Sequence, residues 1–350
     1  MWPLNGVKVI DMTQNVAGPY AGMILAEFGA DVIKVEPPGG DVTRAWGPPF
    51  WEGESPTFMA VNRNKSSVTL NLKSPEDKAR MLELIQEADV FLQSGRPGSM
   101  ERLGLDYPSL KKINPKLIYG EVTAFGHQGP RSQQGGYDPL MQALGGIMSV
   151  TGHQGQPPVR VGVSIVDMAT GMWLALGVMG ALIQRQATGE GCRVTSSLYE
   201  TAIAWMSYHI GGFWGTGVSP TKWRSGAAMI APYEAFPTAD KWIIIAAGND
   251  HLFSKLCAVL DKPEWLEMEK FKTNEARVKN RVQLREWISE MTKQRDSTYW
   301  IALLEAHGIP VAPVLNVEEV VQDPQFEACG IVQCAAHPNI KEFRSIGLPI

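Results

Sequence analysis

Asp167 stands at the head of the most apolar stretch of this 350-residue chain. From Met168 to Ile183 the residues are apolar or small, and no further charge appears before Arg185. A carboxylate so placed can act as a nucleophile. The dipole and free N–H groups of a helix end would hold it ionised in poorly solvated surroundings, ready to attack an electrophilic carbonyl. The same residues, Ser164-Ile-Val-Asp167, also fit a capping box with Ser164 as N-cap and Asp167 at the third helical position. The local pattern fits both. A second carboxylate, Asp138, follows Gly135-Gly136-Tyr137, a pattern that also fits a turn closed by a helix cap. The cations near glycine-rich connections are Arg44, Arg63, Lys65, Arg96, Arg102 and Arg131. They are scattered, and a polyphosphate ligand would recruit only a few of them.

The helix that would carry Asp167 is expected to be buried on all sides. Its apolar run is shorter than the ~20 residues of a membrane span. Ahead of it, β-α-β units recur. Val7–Asp11 and Asp31–Glu36 read as strands around a helix ending near Phe28, with Pro19 as its first residue. Ser67–Leu72, Asp89–Gln93, Lys116–Thr123 and Arg193–Leu198 continue the strand pattern, with a helix over Pro75–Glu87 and a short one over Leu110–Ile113. This predicts an α/β fold with a parallel sheet and ligands at the carboxyl ends of its strands. No GxGxxG is present, so a dinucleotide site is not supported. Helices are expected over Leu140–Val150 and Glu200–Phe213, the second rich in aromatic residues and Met. Trp205, Met206, Tyr208 and Trp214 read there as core or dimer contacts.

Beyond Gly217 the character changes to a small α+β domain. A hairpin joins Tyr233–Phe236 to Trp242–Ala246, and amphipathic helices follow over His251–Leu260, Glu275–Met291 and Thr298–Ala306. The expected division is a large domain over 1–216, a small one over 217–330 and a connector over 331–350.

Net charge is −4, and no run of five like charges occurs, which argues against a nucleic-acid or anionic-membrane surface. No targeting leader is evident. Cys192, Cys257, Cys329 and Cys334 form no CxxC pair, and His337 near the last two lacks a second pair of ligands. Reduced thiols in a cytoplasmic protein are expected, and no metal centre.

Taken together, these segments resemble the class III CoA-transferase family. The likeness rests on Leu4-Asn-Gly-Val-Lys-Val-Ile-Asp11, Ala17-Gly-Pro-Tyr20, Phe28-Gly-Ala-Asp-Val-Ile-Lys-Val-Glu-Pro-Pro-Gly39, Asn62-Arg-Asn-Lys65, Arg96-Pro-Gly98, Gly136-Tyr-Asp138, Thr188-Gly-Glu-Gly191 and Gly308-Ile-Pro-Val-Ala-Pro-Val314. It spans essentially the whole chain. The resemblance implies a Rossmann-like large domain plus a small α+β domain, in ring-like subunits interlocked as a homodimer. It implies coenzyme A or acyl-CoA and a small carboxylic acid as substrates, with no covalently bound cofactor. Asp167 takes the catalytic role. Tyr137 and Asp138, with the Ser225-Gly226 loop, would line the acyl and pantetheine path, and that loop would supply N–H groups to an oxyanion. Val16, Ala17 and Arg102 would contact CoA. Gln14 is out of register with a glutamine frequent in formyl-CoA transferases, and Pro37 replaces an arginine. Members of the family continue past a segment like Gly347-Leu-Pro-Ile350 and return to the large domain, so this chain reads as lacking that return.

The implied chemistry runs through an aspartyl mixed anhydride and an aspartyl-CoA thioester on Asp167. A CoA-ester racemase is the alternative, but it needs two proton-exchanging groups. Tyr137 is a poor base at neutral pH, and Asn249 stands where racemases carry a glutamate. A catalytically silent CoA-binding protein, with Asp167 only a cap, is a third reading. The sequence does not name the donor and acceptor acids.

Overall fold

The computed structural model describes residues 2–350. The chain forms two compact units. The first comprises residues up to Ile147, then Arg160–Tyr208 and Gly330–Ile350. The second comprises Met148–Val159 and His209–Cys329.

The first unit is built on strands β1 (Lys8–Asp11), β2 (Asp31–Glu36), β3 (Lys65–Thr69), β4 (Val90–Gln93), β5 (Ile118–Thr123) and β6 (Arg193–Ser197). They form one six-stranded sheet in the order β3-β2-β1-β4-β5-β6, parallel throughout. The order turns back on itself between β1 and β4, and the loops leaving those strands diverge there into a crevice. β4 is buried along its whole length, as a central parallel strand with helices on both faces must be.

The helices of this unit are α1 (Ala17–Glu27), α2 (Pro56–Asn62), α3 (Pro75–Gln86), α4 (Ser99–Leu103), α5 (Tyr107–Ile113) and α6 (Asp138–Leu144), then α7 (Ile147–Val150), α8 (Ile165–Thr188) and α9 (Leu198–Trp205). α7 lies where the chain passes into the second unit. The single helix expected over 140–150 is broken at Gly145-Gly146, where Gly146 takes a φ of +87° that helical residues do not adopt. α1 begins at Ala17, two residues before Pro19. The missing N–H of Pro19 falls among the first four helical donors, which need no partner within the helix.

α8 departs from expectation in two ways. It runs for 24 residues, long and apolar enough by length and composition to cross a membrane. Half of that apolar window is buried within this chain, where the helix packs on α1, β5 and β6. It is not buried on all sides. Met168, Met172, Trp173 (52 % exposed), Leu176 and Ile183 (69 %) form an apolar face open to solvent.

α10 (Ser207–Thr216) leads into the second unit. The helix expected over 200–213 is thus two helices, divided at Met206. Met206 is buried, whereas Trp205, Tyr208 and Trp214 are exposed, so the last three are not core residues.

In the second unit β7 (Tyr233–Pro237), β8 (Trp242–Ala246) and β9 (Val311–Pro313) make an antiparallel sheet in that order. The helices α11 (Asp250–Val259), α12 (Asn274–Lys279), α13 (Arg281–Thr292) and α14 (Ser297–Ala306) surround a core that includes Phe236, Ile243, Phe253 and Trp300. α12 and α13 replace one expected helix. At the break, the Asn280 amide donates to the carbonyls of Ala276 (2.9 Å) and Lys270 (3.2 Å). α15 (Val317–Gln322) and α16 (Pro324–Ala328) end this unit. The hairpin β10–β11 (Val332–Cys334 with Arg344–Ile346) belongs to the first unit.

Candidate active site

A cavity of about 620 Å³ opens at the crevice between β1 and β4. The loop after β1 contributes Gln14 and Asn15, the first turn of α1 contributes Ala17 and Gly18, and the loop after β4 contributes Ser94, Gly95 and Arg96. The two loops are tied together by the Gln14 backbone N–H, which donates to the Ser94 hydroxyl at 3.0 Å. Asp167 and Tyr137 line the same cavity.

The loop after β1 rests on a buried ionic cluster. Lys34 Nζ donates to the Thr13 carbonyl at 2.9 Å and pairs with Asp41 at 2.8 Å. Lys65 Nζ pairs with Asp11 at 2.8 Å and donates to the Pro19 carbonyl at 2.7 Å. Asp11 in turn accepts from the Thr13 N–H and hydroxyl. Burial alone would raise the Asp11 carboxyl, but Lys65 and Lys34 outweigh it and hold it below the ordinary value. With each charge partnered, the cluster fixes backbone that would otherwise be a free loop.

α8 is brought against the first turn of α1, which this loop leads into, by Gly171. A methyl group there would overlap the Ala17 carbonyl oxygen, so only glycine lets the two backbones meet. Gly171 lies four residues after Asp167, on the same helix face. The close approach therefore sets the nucleophile candidate beside Ala17 and Gly18.

The cap of α8 is not the expected one. Ser164 occupies the N-cap position but its side chain makes no capping bond. The Asp138 carboxylate does so from α6, its Oδ1 accepting from the N–H of Val166 (2.8 Å) and of Asp167 (3.3 Å). Asp138 is buried, and its Oδ2 accepts from the Gln142 amide at 2.6 Å. Asp167 is thereby released from capping. Among the described residues no donor reaches its side-chain oxygens within hydrogen-bonding distance. Burial, with the Asp138 carboxylate as a lesser cause, pushes Asp167 up to about 7. The expected ionisation by the helix dipole is thus outweighed, chiefly by burial.

The other expected site residues are spread over the two units. Ala17 lines the cavity, whereas Val16 is buried at the N-cap of α1 outside the lining. Arg102 is exposed on α4 and does not line the cavity. Its guanidinium lies over Gly98, and Arg96 from the preceding loop lines the cavity instead. Gln14, out of register by sequence, is in the lining. Ser225 and Gly226 lie in the second unit. The Ser225 hydroxyl accepts from the Ala235 N–H at 2.9 Å, and the Gly226 N–H donates to the Trp223 carbonyl at 2.8 Å. The Gly226 N–H is therefore engaged within its own turn, not presented as a free oxyanion donor. Asn249 caps α11 through the Leu252 N–H at 2.8 Å.

Three features were missed from sequence. Glu121 and Arg193, paired at 2.7 Å on neighbouring strands, line the cavity together with His127. Tyr119 is also in the lining, its hydroxyl donating to the Leu105 carbonyl at 3.2 Å. Gln142 holds Asp138. The signal for the last was present as an i, i+4 pair on a helix, Asp138 and Gln142. All four cysteines are free thiols. Among the described residues no cluster of His, Cys, Asp and Glu could hold a metal ion.

The model of CoA-transferase family III matches residues 4–350. Human succinyl-CoA:glutarate CoA-transferase is 40 % identical over 340 residues, 97 % of this chain and 77 % of that protein. The succinate–glutarate CoA-transferase of Agrobacterium fabrum is 38 % identical, over 94 % of this chain and 84 % of that one. The acetyl-CoA:oxalate CoA-transferase of Acetobacter aceti is also 38 % identical, over 93 % and 84 %. Among solved structures, a CAIB/BAIF family protein from Brucella suis superposes with a TM-score of 0.89 at 38 % identity, covering all of this chain and 92 % of that one.

Proposed function

This chain belongs to CoA-transferase family III, and on that premise we propose that it moves CoA from an acyl-CoA to a second carboxylic acid through covalent intermediates on Asp167. The observation that carries the proposal is the position of Asp167. It is a carboxylate on the wall of a cavity, relieved of capping by Asp138 and without a hydrogen-bond donor of its own among the described residues.

The chemistry balances without net proton transfer. An Asp167 oxygen attacks the thioester carbonyl, the C–S bond breaks, and an aspartyl mixed anhydride forms as CoA thiolate leaves. The thiolate attacks the aspartyl carbonyl carbon and expels the first acid as its carboxylate, leaving an aspartyl-CoA thioester. The second acid's carboxylate attacks that thioester and makes a new anhydride. Thiolate then attacks its acyl carbon, yielding the new acyl-CoA and free Asp167. An aspartate pushed up to about 7 ionises near neutrality and is then a stronger nucleophile than an ordinary one. The anhydride is hydrolysable, so a site poor in water favours it.

Within this reading the cavity takes acyl-CoA, with Ala17, Gly18 and Tyr137 beside the acyl end and Arg96 as a cation for the CoA phosphates. The relatives named above act on succinyl, glutarate and oxalate groups, which supports short dicarboxylic acids as donor and acceptor. The apolar face of α8 supports a homodimer, and its interlocked form is part of the proposal. The free thiols fit a reducing, cytoplasmic compartment. The test is chemical capture of an acyl group on Asp167 by hydroxylamine, with succinyl-CoA as donor.

A further inference from the structure

We propose that Gln142 is a positioning residue for this transfer, clamping the Asp138 carboxylate onto the first turn of α8 so that Asp167 is left free and fixed in place. The inference rests on the reading of Asp167 given above. Gln142 is fully buried and bonds with both ends of its amide. Nε2 donates to Asp138 Oδ2 at 2.6 Å, and Oε1 accepts from the Val161 N–H at 2.8 Å. Only one amide orientation satisfies both partners, since a carboxylate cannot donate and an N–H cannot accept. The remaining Asp138 oxygen faces the N–H groups of Val166 and Asp167. One side chain thus ties α6, the segment entering α8 and the cap of α8 into a single unit.

Without the clamp the Asp138 carboxylate is free to rotate off the helix end. The N–H groups it leaves would then fall to the Ser164 hydroxyl, closing the capping box the sequence pattern allows, with the Asp167 carboxylate turned back onto the Ser164 N–H. A carboxylate that accepts that N–H is a weaker nucleophile aimed away from the cavity. Charged groups elsewhere on the elements packed against α8 are engaged: Glu27 with Arg63, Glu121 with Arg193, Glu200 with Ser197. Among the described residues, the Asp138 carboxylate is the charge that raises Asp167.

Two substitutions separate positioning from mere stability. Gln142→Glu keeps the acceptor for Val161 but turns the clamp into a repulsive pair of carboxylates. The double variant Asp138→Asn with Gln142→Glu rebuilds the 138–142 hydrogen bond with donor and acceptor exchanged, keeps an acceptor for the N–H groups of Val161, Val166 and Asp167, and moves the negative charge one hydrogen bond away from α8. Transfer kcat, KM for acyl-CoA, pH profile and Tm are measured for wild type and both variants. Gln142→Glu is expected to lower kcat roughly tenfold to a hundredfold, the scale of one charge-assisted hydrogen bond, with KM within about twofold. The double variant is expected to recover Tm and to shift the acid limb of the pH profile down by roughly half a unit to one unit. If Gln142→Glu does not fold, the double variant alone carries the test. A fall in Tm with kcat, KM and profile unchanged in the folded variants overturns the proposal and leaves the reading of Asp167 intact. A wild-type protein that passes no CoA between acids overturns both.

Discussion

At the scale of single residues, Asp167 combines what function asks for with what stability resists. Its carboxyl titrates at about 7 in the folded chain against an ordinary 3.8. Between those values the folded protein holds a proton that the unfolded chain has lost, so stability falls as pH rises through the window. The full penalty is present above the folded value, on the order of a few kcal/mol. Asp167→Asn removes the charge and keeps the shape. It is expected to abolish transfer and to raise Tm by roughly several degrees above neutral pH, with the gain vanishing in acid. Differential scanning calorimetry of the two proteins across pH checks this, and a variant less stable than wild type at alkaline pH contradicts it. Wild-type transfer should rise with pH through about 7 as the nucleophile ionises. The sequence marked Asp167 but misread its surroundings. The cap of its helix comes from Asp138, 28 positions earlier in the chain for the Val166 bond, and local pattern carries no information about partners at that separation. Arg102 comes from the resemblance alone, and which of two nearby cations faces a crevice depends on the turn of a short helix.

Among the elements, α8 organises the site. Its glycines do different work, and Gly171 sets the distance to α1. Gly171→Ala would drive a methyl group into the Ala17 carbonyl, backbone that has no rotamer with which to yield. The expected cost is about 1–3 kcal/mol of stability. The loss of transfer should exceed what the loss of fold explains, because the displaced loop lines the cavity. Urea unfolding alongside kinetics measures both, and unchanged stability would show that the helices are not held at that contact. The parallel sheet and most strand positions were legible in the sequence, because β-α-β alternation and apolar strands follow directly from burial on both faces. The helix breaks at Gly146, Met206 and Asn280 were not, since amphipathic periodicity runs through a one-residue interruption unchanged. The exposed face of α8 was invisible for the opposite reason. A helix apolar all round looks the same whether its last face is covered by its own chain or by another.

For the whole molecule, that face leads to the proposed homodimer. Met172, Trp173, Leu176 and Ile183 are large apolar side chains left in solvent on one face of α8. Exposed patches of this kind mark association surfaces. Light scattering coupled to size exclusion should give twice the chain mass of 38.4 kDa. Trp173→Glu, at the middle of the face, should weaken or abolish the dimer. A wild-type monomer at micromolar concentration would contradict the assignment.

The most direct measurement concerns the acyl group in transit. Wild-type protein mixed with succinyl-CoA and quenched with hydroxylamine should yield one modified peptide, with Asp167 converted to its hydroxamate. Asp167→Asn should yield none. Recovery of unmodified Asp167 from protein that nonetheless passes CoA between acids would contradict covalent catalysis at this carboxylate.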